Sequence, residues 1–455
     1  MKAYETYKDS GIEWIGEIPS HWDICPLKFN LSLKGRIGWN GLKSDEFMED
    51  SYAYLVTGQD FDKADIDWSK CYQIDKERYD EDPFIQLSNG DLLITKDGTI
   101  GKVAKVSNLD KPACLNSGIF VVKQKKSAFI QDFLYWTFVS NQLLDFNNFN
   151  SSGSTIQHLY QNVFENMPLL VPGISEQQNI ASYLNYKVGR IDAAIKEKEA
   201  MLNDLKAYRS AIISEAVTKG LDKNVEMKDS GIEWIGEMPS HWEICALKFN
   251  LSLKGRIGWN GLKSDEFMED SYAYLVTGQD FDKADIDWSK CYQIDKERYD
   301  EDPFIQLSNG DLLITKDGTI GKVAKVSNLD KPACLNSGIF VVKQIKSSFI
   351  QDFLYWTFVS DQLLDFNNFN SSGSTIQHLY QNVFENMPLL VPSISEQQAI
   401  ASYLDNKVGM IDSTTKLISS QIEDLKSYKS SIISEAVTGK VDLREWKPRN
   451  VTDKN

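Results

Sequence analysis

The sequence is poor in metal ligands. Its four histidines stand at 21, 158, 241 and 378, and its six cysteines form no C-x-x-C pair, so it carries no structural zinc pattern. The cysteines read as buried, reduced thiols of a cytoplasmic protein. No run of 18 apolar residues occurs, so no membrane span is expected. Met1-Lys2-Ala3-Tyr4-Glu5 lacks an apolar leader core, so no signal peptide is expected. Catalytic signatures are missing as well. There is no G-x-G-x-x-G after a strand, no G-x-x-x-x-G-K-S/T, no G-x-S-x-G, and no N/D-P-P-Y/F of an amino-methyltransferase. Gly153-Ser154-Thr155 near His158 lacks the partnered base that a nucleophile needs. Positive charge is also short. Lys plus Arg number 49 against 65 Asp plus Glu, a net of −16, which excludes a generic polycation and repels phosphate on average.

What is present is a repeat. The 455 residues suggest about three domains by length, but Lys8–Glu17 recurs as Lys228–Glu237, an offset of 220. Over 8–178 against 228–398, 171 paired positions, only seven differ: Ile18/Met238, Asp23/Glu243, Pro26/Ala246, Lys125/Ile345, Ala128/Ser348, Asn141/Asp361 and Gly173/Ser393. So long a period marks a duplicated domain rather than a solenoid unit. Across 179–220 against 399–440, 19 of 42 positions differ. The globular copies stayed alike while the segments after them diverged, as expected where those segments meet each other through unlike surfaces.

The divergent segments read as long helices. Ser175-Glu176-Gln177-Gln178 and Ser395-Glu396-Gln397-Gln398 have the capping-box pattern, with Ser at the N-cap. Leu184, Val188, Ile191, Ile195, Leu202, Leu205 and Ile212 follow a heptad alternation in the first. Leu404, Val408, Ile411, Ile418, Ile422, Leu425 and Ile432 do so in the second. Gly220 supplies the first stop. The globular unit reads as mixed α/β (α+β). Asp91–Thr95 and Thr99–Val106 form a hairpin turning at Asp97-Gly98, Gly118–Lys123 is a strand, and 129–145 is one helix with Phe133, Trp136, Val139 and Leu143 on a stripe. A polar loop follows over 147–155, and Pro168 and Pro172 bracket an apolar run.

Charge within each unit is uneven. Residues 45–82 hold 13 acidic and four basic side chains, whereas 86–130 hold seven Lys and three Asp. A basic hairpin face therefore coexists with an acidic surface. Candidate DNA-facing residues are Arg36, Asn40 and Lys43, the hairpin's Lys96, Thr99 and Lys102, and Ser154, Thr155, Gln157 and His158. Their copies are Arg256, Asn260, Lys263, Lys316, Thr319, Lys322, Ser374, Thr375, Gln377 and His378. Arg suits guanine O6/N7 and Asn or Gln suits adenine N6/N7, while small hydroxyls suit phosphates. Structural loops and a solvated, Lys-protected sheet edge are the competing readings.

Several segments together resemble the specificity subunit of Type I restriction-modification systems: Asp9–Pro19, Gly90–Gly101, Gly153–Ile156, Leu169–Pro172 running into Ser175–Gln178, and Ser214–Thr218 with its copy Ser434–Lys440. The resemblance spans the chain twice. It implies target-recognition domains at 1–174 and 220–394, helical regions at 175–219 and 395–438, and a tail at 439–455. It further implies helices paired as an antiparallel coiled coil of pseudo-twofold symmetry. The family's chain catalyses nothing and binds no cofactor itself. It reads a bipartite site on double-stranded DNA for two methylation subunits, which bring S-adenosylmethionine, and up to two restriction subunits, which use ATP and Mg2+. Family members generally carry two unlike recognition domains. Two nearly identical ones predict an inverted repeat. A stand-alone nuclease, a fused methyltransferase-nuclease and a two-headed protein scaffold are the alternatives.

Overall fold

The computed structural model describes residues 2–36, 42, 46–62, 64–150, 158–256, 262, 266–282, 284–370 and 378–447. The chain forms two compact units, 1–198 with 420–455 and 199–419, whose boundary falls inside both long helices. In unit 1 the domain is built on a four-stranded antiparallel sheet, in the order Val103–Lys105, Leu92–Thr95, Ile119–Gln124 and Leu31–Lys34. A three-stranded sheet packs beside it, with Ala53–Val56 central, Ala113–Leu115 parallel to it and Tyr72–Ile74 antiparallel.

Both faces of the larger sheet are covered, which is why its central strands Leu92–Thr95 and Ile119–Gln124 are apolar over most of their length, whereas the edge strand Leu31–Lys34 alternates. Successive side chains point to opposite faces. Leu92, Ile94, Phe120 and Val122 join Phe133, Leu134 and Phe138 in one core. Leu93, Ile119 and Val121 join Leu55, Val56 and Leu115 in another. The segment expected as one helix over 129–145 is two, Gln131–Val139 and Gln142–Asn150, broken at Ser140, whose hydroxyl donates to Thr137 O at 2.6 Å. Ser and Thr side chains that bond back to local carbonyls favour such a break. Asn147–Asn150, expected in a loop, complete the second of these helices. The run bracketed by Pro168 and Pro172 is a strand, Pro168–Val171, paired antiparallel with Asp23–Pro26. Unit 2 repeats the architecture, with sheet order Leu251–Gly255, Ile339–Gln344, Leu312–Thr315 and Val323–Lys325.

The long helices run Ile174–Lys219 and Ile394–Val437. Within unit 1, Asp192 pairs with Lys429 at 2.6 Å, and Lys198 bonds Gln421 at 2.6 Å. Numbering rises along one helix as it falls along the other, so the pairing is antiparallel. In unit 2, Arg209 pairs with Asp412 at 3.2 Å. Of the expected interface residues, Leu184, Val188, Ile191 and Ile212 are buried in the first helix, and Leu404, Val408, Ile411, Ile418, Ile422 and Ile432 in the second. Ile195, Leu205 and Leu425 are partly buried against the cores, and Leu202 is half-buried. The first turns of each helix face their own domain as well as the other helix. Leu184 and Val188 share a core with Leu169, Leu170, Ile432 and Val437.

The helix starts lie two residues earlier than the Ser-x-x-Gln pattern indicates. Ser175 and Ser395 sit in the first turn, and the capping position is Gly173 in one copy and Ser393 in the other. Gly173 offers only its carbonyl, which accepts from Glu176 N and Gln177 N at 2.9 Å. Ser393 forms a reciprocal capping box: its N–H donates to Glu396 Oε2 at 3.0 Å, and Glu396 N donates back to Ser393 Oγ at 3.3 Å. Burial pushes the Glu396 carboxyl up, but donors on Ser393, His241 and Trp242 outweigh it and hold the group at about 2. A depressed carboxyl stabilises the fold above its unfolded value and loses that contribution as pH falls through its folded value. Ser393→Ala is therefore expected to cost about 1 kcal/mol at neutral pH. Denaturant titration should show the cost shrinking as pH drops from 4.5 towards 2.

Residues 439–447 of the expected tail pack against unit 1. Asp442 N donates to Lys2 O at 2.9 Å, Leu443 is buried in the first core, and Trp446 lies edge-on to Tyr183 with centroids 5.5 Å apart. The cysteines are all free, but Cys25 and Cys245 are half-buried rather than buried. No helix among the described residues is long and apolar enough to cross a membrane.

Candidate nucleic-acid interface

The hairpin of Leu92–Thr95 and Val103–Lys105 ends in a wider loop than an Asp-Gly two-residue turn gives. Residues 96–102 lie outside the ladder, and Gly98 and Gly101 take φ of +69° and +83°. The loop is held from within. Buried Thr95 donates its hydroxyl to Thr99 O at 2.5 Å and accepts from Lys102 N at 3.0 Å. It is also held from outside. Lys96 N donates to Gly118 O at 2.9 Å, Leu159 N donates to Lys96 O at 3.1 Å, and His158 Nδ1 lies 2.7 Å from Asp97 Oδ1. The hairpin tip and His158, 61 residues apart in sequence, thus form one surface. Thr99, Lys102 and His158 are exposed on it, whereas Lys96 is half-buried with Nζ 5.0 Å above the Phe120 ring. Lys316, Thr319, Lys322 and His378 repeat the arrangement, with His378 at 2.8 Å from Asp317.

Two expectations change. Arg36 and Arg256 are not on the surface: they are 1% and 2% exposed, and Nε of each donates at 3.0 Å to Leu115 O or Leu335 O. The Gly-rich sequence after Arg36 suggested an exposed loop, but Arg36 itself is buried, and its guanidinium ties the chain just past the strand Leu31–Lys34 to the second sheet. The basic face is also narrower than its lysine count. Lys105 pairs with Asp132 at 2.6 Å, Lys123 with Asp91 at 3.3 Å, Lys111 bonds Gln73 at 2.5 Å, and Lys125 donates to Lys28 O at 2.9 Å. Asn40, Lys43, Ser154, Thr155 and Gln157, with Asn260, Lys263, Ser374, Thr375 and Gln377, lie outside the described residues.

Beside the hairpin tip lies a cleft of about 740 Å³, with a counterpart of about 500 Å³ in unit 2. Thr99 and Lys102 line one side, the Thr57–Asp60 turn another, and Tyr72 with Phe47 a third. Gly58 allows this convergence, because a Cβ there would meet Thr95 Cγ2 at 2.9 Å. Gln59, Tyr72 and Asn116 in this lining gave no signal in the sequence, since only tertiary packing gathers them. A larger cleft, about 1360 Å³, lies within unit 2 and carries Asp285, Asp405 and Asp412 beside Lys325. Arg209, Lys322 and Lys416 line it as well, so acidic and basic groups are nearly balanced there.

The model of the Type I restriction modification DNA specificity domain matches the sequence twice, over residues 43–203 and 264–424. The chain belongs to that family. Each match spans the three-stranded sheet, the hairpin and the first part of the long helix, and begins after the edge strand Leu31–Lys34 or Leu251–Gly255. The MjaVIII specificity subunit of Methanocaldococcus jannaschii is 24% identical over 436 residues, covering 94% of each chain. The EcoKI specificity subunit of Escherichia coli K12 is 20% identical, covering 96% of this chain and 92% of its own. Among solved structures, a chain from work on assembly and conformational transition of the type I R-M system superposes with a TM-score of 0.71 at 15% identity, over 93% of this chain and 99% of its own. The HsdS subunit of Thermoanaerobacter tengcongensis superposes with a TM-score of 0.51 at 14% identity, over 93% and 98%. In this specificity family the hairpin surface belongs to a DNA sequence-recognition subunit.

Proposed function

We propose that this chain is the non-catalytic reader of a bipartite, gapped inverted-repeat DNA site, on which it positions two adenine-N6 methylation subunits and up to two restriction subunits in the cytoplasm. S-adenosylmethionine belongs to the methylation subunits, and ATP with Mg2+ to the restriction subunits. The observation that carries the reading is the identity of 164 of 171 paired positions in the two domains of a specificity subunit. Like domains attached to antiparallel helices read like half-sites on opposite strands, because twofold protein symmetry maps onto an inverted repeat. The surface formed by Thr99, Lys102 and His158, and by Thr319, Lys322 and His378, is the DNA-facing one in this account.

With a net charge of −16, the chain alone binds duplex weakly, and its partners supply much of the phosphate contact. Gel shift of the chain with and without its methylation subunit tests this. Retardation of duplex DNA by the complex, falling steeply with salt, is the expected result. A complex that binds no DNA would leave the scaffold reading instead, and methyl transfer or cleavage by the purified chain alone would overturn its non-catalytic role.

A further inference from the structure

We propose that the cleft beside each hairpin tip reads an A·T base pair, with Gln59 and its copy Gln279 facing the adenine edge and Tyr72 and Tyr292 facing the thymine methyl. The inference rests on the DNA-reading function above and assigns residues to it. Gln59 is exposed on a rigid turn. Asp60 accepts from Thr57 N at 2.7 Å and from Thr57 Oγ1 at 2.9 Å, and Gln59 N donates to Thr57 Oγ1 at 3.3 Å. The turn therefore holds the backbone, and the Gln59 carboxamide makes no hydrogen bond among the described residues. The other amide of the lining is half committed, since Asn116 Oδ1 accepts from Ser117 N at 2.7 Å. Among the described lining residues, only the Gln59 side chain offers a carboxamide with donor and acceptor both uncommitted, the group that binds adenine N6 and N7 together.

The charges in the lining select a base edge over the backbone. Lys70 in the lining is neutralised by Asp67 at 2.7 Å, and Asp97 sits in the cleft beside Thr99, so a phosphate entering it would meet a carboxylate. Lys102, exposed in the same lining, makes no ion pair among the described residues and is available to a flanking phosphate. The lining also carries an aromatic pair. Tyr72 is 49% exposed, and its ring centroid lies 5.4 Å from that of Phe47. Such a pair suits the 5-methyl group that distinguishes thymine. Gln279 occupies the counterpart cleft, and Tyr292 repeats the ring pair with Phe267 at 5.4 Å.

The test uses the full chain with its methylation subunit and duplexes carrying the mapped site. Replacing one adenine of each half-site by 7-deazaadenine, position by position, should weaken wild-type binding at one position by roughly 5- to 150-fold per half-site. The Gln59→Ala/Gln279→Ala variant should bind the natural site correspondingly less well and be indifferent to that replacement. Uracil for thymine at the same pair should weaken the wild type but not Tyr72→Leu/Tyr292→Leu. Because Gln59 makes no side-chain hydrogen bond among the described residues, its variant should unfold like wild type. A folded variant that keeps wild-type discrimination at every position would overturn the inference while leaving the DNA-reading function intact. A wild-type complex without any DNA site would instead remove the function on which it rests.

Discussion

Arg36→Ala is expected to destabilise unit 1 by about 2–4 kcal/mol, and Arg256→Ala to do the same in unit 2. The Arg36 side chain is 1% exposed, and its Nε donates to Leu115 O at 3.0 Å while Nη2 approaches Cys114 Sγ at 3.5 Å. Truncation strips a buried carbonyl of its donor and leaves the volume of the apolar stem empty. Both effects fall where the chain just past the strand Leu31–Lys34 meets the second sheet. Burial pushes the Cys114 thiol up to about 11, with the guanidinium pulling it down; without Arg36 it rises further. Urea unfolding of the single and paired variants measures the loss as a lower midpoint at unchanged slope. A variant of wild-type stability that relaxes one base position would return Arg36 to the DNA-facing set.

Gly439→Ala is the second large effect. Gly439 ends the second long helix at φ +71°, and a Cβ there would collide with the Pro19 ring and lie 3.1 Å from Trp22 Cη2. Left-handed backbone costs a non-glycine residue about 1–2 kcal/mol, and overpacking adds about 1–3 kcal/mol. The collision falls on the segment that fixes unit 1, since Lys440 Nζ donates to Ile15 O at 3.1 Å and Asp442 N to Lys2 O at 2.9 Å. Gly220, the corresponding helix end in unit 2, has φ +75°, but its Cβ would meet only the edge of Trp242 at 3.2 Å. Gly220→Ala should therefore cost only the backbone strain and a small ring shift, about 1–2 kcal/mol. Thermal unfolding should rank Gly439→Ala well below Gly220→Ala. Equal losses would show that the close approach to Pro19 is not a constraint.

Which parts of this were legible in the sequence follows from range of interaction. The duplication needed only self-comparison. The hairpin was readable because Leu92–Thr95 and Val103–Lys105 are neighbours in sequence, although the loop they close depends on a bond from Thr95 back to Thr99. The long helices were readable from their apolar spacing, but their start was not. Ser-Glu-Gln-Gln looks like a cap, while Gln177 is fully buried in the first turn and ties Ala128 O and Pro172 O together at 2.9 Å. The break at Ser140 depends on one local hydroxyl bond within an otherwise helical stripe. At the candidate interface, exposed Lys102 and His158 were readable by type. The burial of Arg36 was not, because residue type and glycine-rich flanks describe a loop equally well whether its first residue points in or out. Gln59 and Tyr72 emerge only when the Thr57–Asp60 turn packs on Thr95.

Single-molecule methylation mapping of cells expressing this chain with its methylation subunit shows which bases the two domains read. One gapped inverted repeat is expected, with the same short adenine-containing half-site on both strands. Two unrelated half-sites would contradict it, since domains alike at 164 of 171 positions would then be reading different sequences.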